Sequence, residues 1–82
     1  MTAEQLFEEL EGSLVMVDGK SCYPQLIEEE GEEDVLEMLD GDICLTKSDI
    51  AEIIVRDFYI AVRTKTETHV FEIYELKRFN QS

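Results

Sequence analysis

Positive charge is nearly missing from the first half of this chain. Residues 1–42 hold one base, Lys20, against fourteen acids, so this stretch carries the whole formal net charge of −13. Residues 43–82 set six acids against six bases and are neutral. A surface this one-sided repels nucleic acid and anionic membrane and attracts basic protein surfaces.

Other absences narrow the reading. No run of eighteen apolar residues occurs, so no membrane-spanning helix is expected. The opening Met1-Thr-Ala-Glu-Gln5 has neither the basic nor the apolar region of a secretory signal, which points to a cytoplasmic protein. Cys22 and Cys44 form no C-x-x-C pair and read as reduced, mostly buried small hydrophobes. The one histidine, His69, lies beside threonines in an alternating stretch and reads as a strand-surface residue. There is no Ser/His/Asp or Cys/His set, and neither glycine-rich nucleotide loop is present. No catalytic residue and no cofactor are expected. Carboxylates are abundant, but EF-hand spacing is missing, and Asp40-Gly-Asp42 is accounted for by a hairpin turn, so no metal site is expected.

What remains is enough for one folded domain over residues 1–82. Apolar residues make up 44% of the chain and aromatics are spread along it, which sets it apart from a disordered acidic tail. A domain of this length buries roughly 60–65% of its unfolded surface and has little stability to spare.

Thr2-Ala-Glu-Gln5 has the form of a capping box and Gly12 that of a helix stop. Leu6, Phe7 and Leu10 share one face between them, so a short amphipathic helix is predicted over 3–11, with its glutamates largely around the other faces. Leu14–Val17 and Lys20–Leu26 flank Asp18-Gly19, a hairpin signal, and Pro24 marks an edge or an end of the second strand. Residues 28–34 read as a solvated loop. Val35–Leu39 and Ile43–Thr46 flank Asp40-Gly41 and predict a second hairpin, which pairs with the first. Residues 48–57 carry two readings: Ile50, Ile53, Ile54 and Asp57 fit helical spacing with Ser48 as a cap, whereas the β-branched Ile53-Ile-Val55 favours a strand over 51–55 with a turn at Arg56-Asp57, and the strand is the preferred reading.

The last hairpin has two apolar faces around a polar loop at Thr64–Thr68. Phe58, Ile60, Val62, Phe71 and Ile73 form one face; Tyr59, Ala61, Val70, Tyr74 and Leu76 form the other. The fold class expected is α+β: a short N-terminal helix packed on an antiparallel sheet of five to seven strands, in hairpins, curled toward a small, partly open barrel.

The leading functional expectation is a non-enzymatic binding protein that docks its acidic half on a basic partner. The partner-binding candidates are Glu28, Glu29, Glu30, Glu32, Glu33, Asp34, Glu37, Asp40 and Asp42. Glu28 to Asp34 supplies six charges in seven residues, a density that suits imitation of a phosphate backbone, where duplex DNA carries one charge per roughly 1.7 Å of axis. The sharper form is an inhibitor or regulator of a nucleic-acid-binding protein. In size and charge alone the chain is similar in kind to small acidic inhibitors encoded by bacteriophages. The alternative is a structural or oligomerising domain whose acidity serves solubility, with the face around Tyr59 and Tyr74 buried in a homodimer. A small hydrolase or a divalent-metal site is the third reading. Direct nucleic-acid binding is not expected.

Overall fold

The computed structural model describes residues 1–73. A helix, α1 (Ala3–Leu10), opens the chain. Eight strands follow: β1 (Val15–Val17), β2 (Lys20–Cys22), β3 (Gln25–Ile27), β4 (Val35–Met38), β5 (Ile43–Thr46), β6 (Ile50–Val55), β7 (Tyr59–Thr64) and β8 (Thr68–Ile73). This is the α+β arrangement that the sequence predicts. The strands fall into two antiparallel sheets, ordered β2-β1-β8-β7-β6 and β3-β4-β5, and among the described residues they do not close a barrel.

The helix begins with the predicted capping box. Thr2 N–H donates to Gln5 Oε1 at 2.9 Å, and Gln5 N–H donates to Thr2 Oγ1 at 3.1 Å. It ends where Gly12 takes φ +71°, a conformation that favours glycine. Eight residues cannot hold a helix alone. Leu6, Phe7 and Leu10 dock into a single core with Val15, Val17, Ile60, Val62, Phe71 and Ile73 of the larger sheet and Leu36, Met38, Ile43 and Leu45 of the smaller. Glu9 is buried on the same helix at 3% exposure, against the expectation of an outward glutamate.

Two corners pass the chain between the sheets. At Tyr23-Pro24 the proline interrupts the predicted Lys20–Leu26 strand. Its first part pairs with β1 and its second with β4, so the first two hairpin units do meet. Gly12 N–H donates to Pro24 O at 3.0 Å, fastening the helix end to this corner. At the second corner, a tight turn at Lys47–Asp49 links β5 to β6. The Lys47 ammonium lies 5.5 Å from the centroid of the Phe7 ring.

The β6 strand and the β7–β8 hairpin form as predicted, with three differences. Phe58 sits in the β6–β7 turn at 81% exposure instead of on the inner face. His69 is directed inward: its side chain is 11% exposed, its ring lies 6.2 Å from that of Phe71, and its Nε2 is 3.1 Å from the Glu67 carboxylate. Thr64 is buried and closes the loop, accepting through Oγ1 from the Glu67 and Thr66 amides. Tyr74 and Leu76 lie outside the described residues.

Candidate functional site: an acidic groove on the smaller sheet

The predicted acidic residues all belong to the three-stranded sheet and its connections, in two groups separated by the length of β4. Glu28, Glu29, Glu30, Glu32, Glu33 and Asp34 occupy the β3–β4 loop, where Glu32 N–H donates to Glu29 O at 3.1 Å. Asp40 and Asp42 lie in the β4–β5 turn, and Glu37 lies between the groups on β4. β4 is four residues long, about 10–13 Å at the strand rise. Glu37 pairs with Gln25 and Cys44 across the sheet, on the face away from Leu36 and Met38.

Two of these acids are not simple solvated charges. Glu33 ties the loop to the Lys47–Asp49 corner: Ser48 donates to its carboxylate from both N–H and Oγ, each at 2.8 Å. The Ser48 amide, followed by the Ser48 hydroxyl, holds the Glu33 carboxyl below its usual range, and Lys47 and Lys65 add to the effect. Asp34 is half-buried. The free part of the loop is therefore Glu28, Glu29, Glu30 and Glu32, all exposed.

The β4–β5 turn departs from a two-residue Asp-Gly hairpin. Leu39 and Asp40 take φ +55° and +54°, and Gly41 takes +92°. Positive φ at a branched residue such as leucine costs on the order of 1–2 kcal/mol and marks a position that its surroundings force. Leu39 is held there by packing against the core. The turn, β4 and the Tyr23-Pro24 corner together enclose a groove of about 330 Å³, lined by Ser21, Cys22, Tyr23, Gln25, Glu37, Met38, Leu39 and Asp40. Tyr23 is 61% exposed on its wall.

The groove thus has an exposed aromatic ring and two carboxylates in a mainly polar lining. This combination suits a cationic side chain, which can pair with carboxylate and lie along an aromatic face. Burial holds the Cys22 thiol above its usual range, opposed by a backbone hydrogen bond from Leu39. The other cysteine is also free and, contrary to expectation, exposed: Cys44 Sγ donates to Gly41 O at 3.5 Å. Among the described residues no cluster of three or more His, Cys, Asp or Glu is placed to hold a metal ion.

No family model, curated protein or solved structure matches this chain. Its functional reading rests on its own residues.

The groove is not visible in the sequence reading. Tyr23-Pro24 signals a strand break, but only the fold sets the break beside Glu37 and Asp40. The secondary apolar candidate is in part present. Tyr59 is 38% exposed on the outer face of the larger sheet, in cross-strand register with Glu72, and Val70, 44% exposed, is paired with Ala61.

Proposed function

We propose that the protein is a small acidic binding protein that docks its three-stranded sheet on a basic protein surface. One arginine or lysine of the partner enters the groove between Tyr23, Glu37 and Asp40. The observation that carries this reading is the placing of nine predicted acids on one small sheet and its connections, with two of them, Glu37 and Asp40, lining a groove whose wall is an exposed tyrosine. Long-range attraction from Glu28, Glu29, Glu30 and Glu32 would draw the partner in and orient it. The groove would then supply contact that outlasts salt screening. The partner with the most fitting chemistry is a nucleic-acid-binding protein, whose basic surface already accepts a row of phosphates. Occupying that surface makes this chain an inhibitor or regulator.

Capture tests the reading. The protein is immobilised, a fraction enriched in nucleic-acid-binding proteins is passed over it, and duplex or single-stranded oligonucleotide is used to elute. Specific elution by oligonucleotide is expected. It should be lost when Glu28, Glu29, Glu30 and Glu32 are changed to lysine. Retention by that variant equal to the parent's, or elution indifferent to oligonucleotide, overturns it.

A further inference from the structure

The larger sheet ends in an open edge. Among the described residues β6 pairs only with β7. Exposed edges of this kind are usually guarded by short length, lysine or proline. The opposite edge is guarded in this way: β2 has three residues, begins at Lys20 and runs into Pro24. β6 has six residues, Ile50-Ala-Glu-Ile-Ile-Val55, with no lysine or proline, and its one irregularity lies between Ile50 and Glu52. It also belongs to the electrically neutral part of the sequence. Two copies of an acidic chain repel across most of their surfaces. β6 lies where acids and bases balance along the sequence, so that repulsion is weaker there than across the acidic half.

We propose that this edge pairs antiparallel with the β6 edge of a second copy, around a two-fold axis at Ile54, joining the two larger sheets into one. The choice of a second copy follows from register. Arg56 N–H donates to Tyr59 O at 2.9 Å, so Arg56 and Tyr59 are a hydrogen-bonded pair. Antiparallel ladders alternate. Ile54–Ala61 is therefore hydrogen-bonded as well, whereas Ile53 and Val55, opposite Val62 and Ile60, turn their backbone N–H and C=O groups to the open edge. A two-fold pairing must bring outward-turned residues opposite each other, so its axis passes through a residue and not between two.

Four centres are then available in the body of the strand. An axis at Glu52 sets two glutamates face to face. An axis at Ile53 sets Glu52 against the second copy's Ile54. An axis at Val55 sets Ile53 against the second copy's Asp57. Only the axis at Ile54 is complementary over the whole of Glu52–Arg56. Ile53 and Val55 then exchange backbone hydrogen bonds with their counterparts, and Ile54 meets itself. Glu52 faces the second copy's Arg56 at both ends, a favourable cross-strand pairing.

The side chains are disposed for this. Glu52 already holds Arg63 on its own sheet at 3.3 Å, so the pairing would extend a row of alternating charge across the joint. Arg56 is exposed and donates from a terminal guanidinium nitrogen to Val55 O at 3.1 Å, covering one outward carbonyl. In the pair that carbonyl takes an amide from the second copy, and the guanidinium is released to the second copy's Glu52. The strand irregularity between Ile50 and Glu52 borders the paired segment at its outer end. Closure by a two-fold axis covers both β6 edges at once, and among the described residues the joined larger sheet then ends in the guarded β2 edges.

Sedimentation equilibrium of the full chain, at moderate salt over a range of protein concentration, tests the proposal. A reversible dimer is expected. Glu52→Arg and Arg56→Glu each place like charges opposite one another twice, and each should weaken association by roughly tenfold or more. Mixing the two variants in equal amounts should restore it, because every opposed pair is then complementary. Ile54→Lys, with like charges on the axis, should give a monomer. Thermal melts show that each variant is folded. A parent that stays monomeric at all concentrations overturns the proposal. So does a dimer that neither charge variant weakens, or a mixture that fails to restore it. This measurement reads mass alone, so its outcome is independent of whether the acidic groove binds a partner.

Discussion

Leu6 is the position where the fold can be tested most sharply. It is fully buried, in the core shared by the helix and both sheets. Truncating a buried leucine to alanine costs about 2–5 kcal/mol, the spread reflecting how far the cavity collapses. A domain of 82 residues has a total stability of about 4–12 kcal/mol at the usual value per residue. Leu6→Ala should therefore remove about a sixth of the whole at the least, and lower Tm by about 8–40 °C. Leu6→Asp adds a buried carboxylate with no designed partner, worth several further kcal/mol, and should leave the chain unfolded at room temperature. Leu14, 39% exposed just beyond the helix, is the internal control. Leu14→Asp should change stability by about 0.5 kcal/mol or less. Urea and thermal melts followed by circular dichroism give all three values. A Leu6→Ala protein that melts with the parent, or a Leu14→Asp protein as damaged as Leu6→Asp, would refute the claim that the helix is held by its docked face. The consequence reaches the groove, because the helix end is bonded to Pro24 O through Gly12 N–H.

Three further outcomes are expected. The Glu33 carboxyl is depressed by its Ser48 contacts, so the clasp it makes is intact above the ordinary glutamate range and is lost as pH falls through the lower folded value. The Ser48 amide resonance should follow that low midpoint, and a midpoint in the ordinary glutamate range, or a Ser48 shift untouched by Glu33→Gln, would contradict the clasp. Alkylation at mildly alkaline pH should modify exposed Cys44 well before Cys22, whose thiol is half-buried and raised by desolvation; mass spectrometry of the digested protein reads the order, and equal rates would contradict it. Finally, the chain should show no micromolar binding to DNA or RNA at physiological salt by fluorescence anisotropy, given its net charge of −13.

The sequence made the local elements legible because each carries its own signal. Thr2 and Gln5 define the helix start, and Asp18-Gly19 takes the two positive φ values of +51° and +78° that its hairpin requires. Alternation in Tyr59–Thr64 and Thr68–Ile73 marks two central strands, whose buried members all lie on one face. What could not be read depends on contacts far apart in the chain. Leu39 has no local reason to adopt positive φ; the core forces it. Glu33 looks like its neighbours until Ser48, fifteen residues on, supplies two hydrogen bonds. His69 stands among polar residues, yet strand parity sets it opposite Val62 on the inner side. The acidic loop was visible from composition, whereas the groove beside Tyr23 exists only because a proline corner and a strained turn meet across two strands.

The central claim is that the smaller sheet receives a cationic side chain from a basic surface. Nitrogen-15 chemical-shift mapping during titration with a short arginine-rich peptide tests it most directly. The account predicts saturable shifts at Tyr23, Glu37, Leu39 and Asp40, with smaller ones at Glu28, Glu29, Glu30 and Glu32 that fade as salt is raised. The groove shifts should be lost in Tyr23→Ala combined with Glu37→Gln. Shifts spread evenly over every exposed acid, or centred on Tyr59 and Val70 of the larger sheet, would contradict it.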